Sequence, residues 1–394
     1  MIILDFLLSL ALLLVTYVGK LLKKPLVRGK TRISQKRAVE RTRLLQEDAS
    51  RWLVDYYKRK GRDAELYAVP GYGDLRIPYL TKETWYGDEL KTVRFELMRG
   101  EKNELVDSSV ETEKKLIKYR EALGHKIWDD PVLRSMGIQE TQNEIIIKVG
   151  ACSYFQYLST CGKLEDEVCK CVSSPRNKPV LRDEMADCLE TLSSAKLGVQ
   201  ILGFAVATVL RCRDGWKVII PRRSEETGIG ASSYAVVPSF TCHPFYLQNS
   251  REDLGLFYFL LEFAEELCGW EELCKLAMNE HIDSDWFLSH EPLKTLLALH
   301  KSGAFSFKIL GLGFDALRGE LNVAALALID DVAFSERELP KMKRNWEIKK
   351  KQTRLRALDL DSSELKQRFL SNEIYHTSAF CLSQVFEKMR SIGK

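Results

Sequence analysis

The 394-residue chain predicts an α+β protein in three parts, on three observations. An almost unbroken apolar run opens the chain. A middle section mixes short strand-like runs, split by Gly and Pro, with helical stretches. The last 200 or so residues follow one order: strand, hairpin, strand, Gly-rich loop, strand, acidic helix, strands, helix. The composition, 45% apolar and 29% charged, is that of an ordinary globular protein, and the length is enough for two or three cores.

The first part is residues 1–22. From Ile2 to Gly19 only Asp5 is charged and only Ser9 and Thr16 are polar, and Leu21 and Leu22 extend the run. About 20 residues at ~1.5 Å each span a bilayer. A cleaved signal has its basic residues first, whereas here Lys20, Lys23, Lys24, Arg28, Lys30 and Arg32 follow the apolar run, and no small-residue cleavage site is evident. The positive-inside rule then places the rest of the chain in the cytoplasm, behind a single-pass transmembrane helix. Residues 23–62 read as a basic amphipathic stalk helix. Ala38, Leu45, Ala49, Trp52, Leu53 and Tyr56 recur at helical spacing. The opposing Lys and Arg either rest on anionic headgroups, each worth about 1 kcal/mol, or leave the helix to dock on the domain behind it.

Charge is unevenly placed. Net charge is +4, but residues 20–62 carry +11, which leaves −6 on residues 63–394 once Asp5 is counted. A mildly acidic body excludes general nucleic-acid binding. The ten cysteines lack paired CxxC spacing; in a cytosolic domain they read as scattered thiols with no structural disulfides.

Residues 63–190 form the mixed middle section. Strands are expected at 65–70, 75–79, 92–98 and 144–149, and helices at 109–124 and up to Thr160. A turn is expected near Pro131 and a polar linker from Lys163 to Pro179. No catalytic constellation stands out, so a sensing or scaffolding role is expected.

Residues 191–394 form the last domain. After a helix from Arg182 to Lys196, Gly198–Arg211 reads as a long apolar strand, Asp214-Gly215 as a hairpin turn and Trp216–Pro221 as its partner. Arg222 and Arg223 end that partner. A Gly-rich loop (Thr227–Ser233), a strand (Tyr234–Phe240), two strands (Phe305–Gly313, Glu320–Asp330) and a closing helix (Thr377–Ser391) complete the order. Between them lies Arg251–Gly269, an amphipathic helix. Glu262, Glu265 and Glu266 stand at i, i+3 and i+4 and share a face, while Leu256, Leu260, Phe263 and Leu267 oppose them. Three like charges within two turns repel unless a cation offsets them, and a divalent ion does so.

This helix resembles the Nudix box, whose pattern is G-x5-E-x7-R-E-U-x-E-E-x-G-U with U bulky and apolar. Glu262-Phe263-Ala264-Glu265-Glu266 matches the E-U-x-E-E core and Asp253 falls on the earlier acidic position. Leu247 stands at the opening Gly, Leu261 at the Arg, and Gly269 one residue late. The resemblance covers about half the chain and implies an α/β/α sandwich that recognises, and in the family hydrolyses, a nucleoside-diphosphate derivative. Glu262, Glu265 and Glu266 would be the catalytic and metal-binding set for Mg²⁺ or Mn²⁺, with Glu320 as a further ligand. Arg222, Arg223 and His243 would face the substrate. With Leu261 in the Arg position, the alternative is a catalytically impaired nucleotide sensor, reporting through the stalk to a membrane or regulatory protein. Metalloprotease spacings, Walker loops, nucleophile elbows and G-x-G-x-x-G are absent.

Overall fold

The computed structural model describes residues 48–98, 114–115, 117–118, 129–195, 198–224, 232–244, 254–270, 284–342, 355 and 357–392. The expected anchor, the stalk before residue 48 and most of the Gly-rich loop and of the 109–124 helix lie outside them. Among the described residues no helix is long and apolar enough to cross a membrane.

Eleven strands form one mixed sheet. They are β1 (Leu66–Ala68), β2 (Arg76–Leu80), β3 (Thr92–Leu97), β4 (Pro131–Glu140), β5 (Glu144–Ser153), β6 (Gln200–Cys212), β7 (Gly215–Ile219), β8 (Ser239–Thr241), β9 (Phe305–Asp315), β10 (Glu320–Ile329) and β11 (Ala357–Asp359). The main order is β1-β2-β9-β10-β6-β4-β5-β3, with β7 and β8 also on β6 and β11 on β7. Pairing is parallel for β6 with β10 and for β3 with β5, and antiparallel for the other ladders. The sheet runs through the boundary expected near residue 190, because β4 pairs with β6 at Arg134 and Ser135.

β6 is the organising strand. Its apolar run, QILGFAVATVL, is buried throughout, as for a strand covered on both faces. Leu202, Phe204, Val206 and Leu210 join one core with helix α6 (Leu254–Cys268). Ala205, Ala207 and Val209 join a second core with helix α11 (His376–Ile392). The small residues of the second face let α11 lie close, and the Cys381 thiol reaches the carbonyls of Ala205 (3.3 Å) and Ala325 (3.4 Å). Helices therefore cover the central sheet on both sides. The β4–β5–β3 arm curls back over the α6 face. A flat sheet would set β3 about 14 Å from β6, yet the Phe95 and Phe204 rings are 5.9 Å apart.

Helix α1 (Ala49–Arg59) belongs to the body, with Ala49, Leu53, Tyr56 and Tyr57 buried. It packs on β2 and on α3 (Lys163–Ser173). That second helix corrects the expected linker at 163–179. Leu164, Val168 and Cys171 recur at helical spacing and are buried, and Glu165 and Glu167 are buried beside them, so a polar composition here does not mark a linker. The turn expected near Pro131 is likewise the start of β4. The helix expected at 182–196 is two short ones, Val180–Met185 and Leu189–Ser193.

Candidate functional site

Helix α6 is not an amphipathic surface helix. Gly255 to Leu261, Phe263, Ala264, Glu266 and Leu267 are buried, and Glu262 and Glu265 are half-buried. The acidic stripe therefore turns inward along the strand beside it. Gly269, in the left-handed region at φ 74°, closes the helix, and the Trp270 amide returns to the Ala264 carbonyl at 3.1 Å. This turn accounts for the glycine that comes one residue late in the motif.

The stripe consists of Tyr258, Glu262 and Glu266, each four residues apart. The Tyr258 hydroxyl donates to the His243 carbonyl. Glu262 stands close enough to Cys242 to add to the effect of burial, and together they push that thiol well above its ordinary range. The Ser239 backbone amide donates to Glu266 Oε1 at 3.3 Å. Eight helical residues rise about 12 Å, and four strand residues about 13 Å. The helix thus runs antiparallel to residues 239–243 with the two lengths matched, and each stripe residue meets its own strand position. β8 is itself held by β6 through Gly203↔Thr241, Phe204↔Phe240 and Ala205↔Ser239. Phe240 stacks on Phe204 at 5.5 Å and lies 6.1 Å from Tyr258, giving the stripe an aromatic floor. Burial holds the His243 imidazole below its ordinary 6.5, partly offset by Asp130.

The expected site residues do not all meet. Glu262, Glu266 and His243 share the α6–β8 seam. Arg222 lies elsewhere: its Nε donates to the Ser232 carbonyl at 2.7 Å, and its backbone bridges to Tyr234, which in turn bridges to Ile374 next to α11. Arg223 follows it, with its amide on the Ser233 carbonyl. Both are anchored on the second core's side of the sheet. Glu320 opens β10 opposite Leu202's neighbour on β6, two strands across from β8 and about 16 Å from Ser239 by strand spacing and rise. There it accepts from Tyr157 and pairs with Arg318 at 3.7 Å, while Arg318 also pairs with Glu165. All four of these side chains are buried. Glu320 is thus one acid of a buried structural network with Glu165, where the resemblance implied a further metal ligand.

Among the described residues no group of three or more His, Cys, Asp and Glu is placed to hold a metal ion. The α6–β8 seam offers two hard oxygen donors, Glu262 and Glu266. That set fits an ion of the Mg²⁺ type, which takes one or two carboxylates and completes its shell with waters and substrate phosphates. It does not fit a cation held by protein alone.

Residues that spacing could not flag also meet. Ser50, Asp315 and His376 come together at the end of β9, and Arg182 is wholly buried beneath the β9–β10 turn. Ser50 meets His376 across 326 residues and Arg182 meets Leu317 across 135. No protein-family model matches the chain, and a comparison with curated proteins returns no match.

Proposed function

We propose that residues 191–394 are a Nudix-like domain that recognises a nucleoside-diphosphate derivative through Mg²⁺ or Mn²⁺ shared between Glu262, Glu266 and the ligand's phosphates. The burial of Glu266 against the Ser239 amide carries this reading. A carboxylate costs several kcal/mol to bury unless something compensates it; the Ser239 amide does so from the strand side, and a cation shared with the ligand's phosphates would add to it. The bound ion would supply Lewis-acid polarisation of the phosphoryl oxygens. Glu262 and Glu266 would hold and orient it, and the Phe240–Tyr258 floor would exclude water from the carboxylates. The apolar run of residues 1–22 would tether this domain to the cytoplasmic face of a membrane.

One observation favours binding without turnover. Leu261, in the position of the family's arginine, is 7% exposed and packed in the core, so no guanidinium from that position orients Glu262. The full chain, incubated with Mn²⁺ and a panel of nucleoside-diphosphate derivatives, separates the readings. Metal-dependent phosphate-ester product that Glu262→Gln and Glu266→Gln remove supports a pyrophosphohydrolase. Metal-dependent binding without product supports a sensor. Absence of both sinks the proposal.

A further inference from the structure

Three side chains far apart in sequence meet beside the β9–β10 turn. Ser50 Oγ lies 2.6 Å from His376 Nε2. His376 Nδ1 lies 3.6 Å from Asp315 Oδ1. The aspartate is fixed from two further directions: Oδ1 accepts the Leu317 amide at 2.8 Å, and Oδ2 accepts the Tyr375 hydroxyl. Tyr375 also stacks on the imidazole, 5.5 Å away and 13° from parallel, which limits rotation of the ring.

Two features set this apart from a histidine that only fills space. Asp315 is wholly buried, whereas His376 and Ser50 keep 8% and 5% exposure, so the Ser50–His376 contact lies nearer the surface than the aspartate. His376 Nδ1 is buried with no hydrogen-bond partner, yet a carboxylate stands just beyond hydrogen-bonding range. Buried ring nitrogens are normally satisfied. A contact that is loose at rest and tightens when the ring becomes an imidazolium is the geometry of a base awaiting a proton. Burial opposes the charge on Asp315, but the His376 and Tyr375 contacts and the Leu317 amide outweigh it and hold the carboxyl below its ordinary 3.8.

We infer that Ser50, His376 and Asp315 form a nucleophile–base–acid relay that hydrolyses small acyl esters. Ser50 Oγ attacks the ester carbonyl carbon as its proton passes to His376 Nε2, and Asp315 steadies the imidazolium. The ester C–O bond breaks, and the leaving alkoxide takes the proton from Nε2 to depart as an alcohol. Water then attacks the acyl group on Ser50 and gives a proton to Nε2. Collapse releases the carboxylic acid, and the proton returns to Ser50 Oγ. The narrow exposure of Ser50 restricts the acyl group to a short one. No G-x-S-x-G elbow announces the serine, because it lies within α1 rather than on a strand-to-helix turn. The relay is separate from the α6–β8 seam and does not rest on it.

The full chain is treated with a fluorophosphonate probe, mapped by peptide mass spectrometry, and assayed with p-nitrophenyl acetate. General-base assistance is worth about 10²–10⁴-fold. The expected result is an adduct on Ser50, esterase activity that falls about 100-fold in Ser50→Ala, and labelling slowed similarly in His376→Asn. Where His376→Asn does not fold, the wild-type protein decides, since the probe must label Ser50 in the native chain and not in the urea-unfolded one. No adduct on Ser50, equal labelling of the unfolded chain, or ester hydrolysis unchanged in a folded Ser50→Ala protein overturns the inference.

Discussion

The carboxylate of Glu266 accepts a hydrogen bond from the backbone amide of Ser239 at 3.3 Å, so the acidic helix and the short strand beside it are joined through a group that would otherwise face water. With the Tyr258 hydroxyl on the His243 carbonyl, this contact joins helix and strand along the seam, and it makes charge and hydrogen bonding separable by mutation. Glu266→Gln keeps an acceptor for Ser239 and removes the charge. It should unfold within about 1 kcal/mol of wild type, while Mn²⁺ affinity, read by calorimetry with a nucleoside diphosphate present, falls at least tenfold. Glu266→Ala should cost about 1–3 kcal/mol through the stranded amide. Equal Mn²⁺ binding in wild type and Glu266→Gln would remove the cation from the seam.

Gly203 tests whether β8 positions that seam. A Cβ there would stand 2.7 Å from Asn322 Oδ1 and 3.3 Å from the Phe240 carbonyl. Gly203→Ala should therefore push β8 outward, cost about 1–3 kcal/mol by overpacking and weaken cation binding without touching either glutamate. Urea titration and the same calorimetry read both effects. Lost stability with unchanged binding would uncouple β8 from the site.

Arg182 holds the β9–β10 turn from below. Its guanidinium donates to the carbonyls of Ala316, Leu317 (3.1 Å) and Leu164 (3.5 Å) and to the Tyr57 hydroxyl (3.3 Å). Arg182→Met matches the length of the side chain but strands several buried acceptors, each worth about 1–3 kcal/mol. The expected loss is several kcal/mol in urea unfolding, large enough to lower the yield of folded protein. A loss below about 1 kcal/mol would show that water replaces the guanidinium.

Stability below and above pH 4.5 should trace to different glutamates. Burial raises the Glu140 carboxyl, but hydrogen bonds from Lys82, Lys91 and Thr84 more than offset it, lowering it to about 2. Its folded value lies below its ordinary 4.5, so its contribution is present above that pH and is lost as pH falls toward about 2. Glu320 has the opposite sign: burial first, then Asp315 and Glu165, raise it, against the pull of Arg318 and the Tyr157 hydrogen bond. Its stability is complete below 4.5 and is lost as pH rises through its higher folded value. Glu140→Gln should flatten the urea-midpoint profile below pH 4.5, and Glu320→Gln the limb that begins above it. Profiles that change on the same side would contradict this assignment.

Much of the frame was legible because burial on two faces leaves a local mark. The unbroken apolar run of β6, the Asp214-Gly215 hairpin, strands β9 and β10 and helix α11 fall where periodicity and turn chemistry set them. Helix α3 was not legible as a helix, since its polar residues gave the segment a linker's composition. β4 was hidden by Pro131, which an initial strand residue tolerates.

By itself the sequence determined an α+β chain built on β6 and an acidic helix, because a strand or helix must carry its own hydrophobic pattern. The tertiary structure alone decided which acids share a seam and which do not. It buried Glu320 against Tyr157, drew Glu266 to Ser239, and brought Ser50, Asp315 and His376 together. Periodicity records that a face is covered. It does not record by what, since the partner is chosen by sheet order and strand curl acting across hundreds of residues.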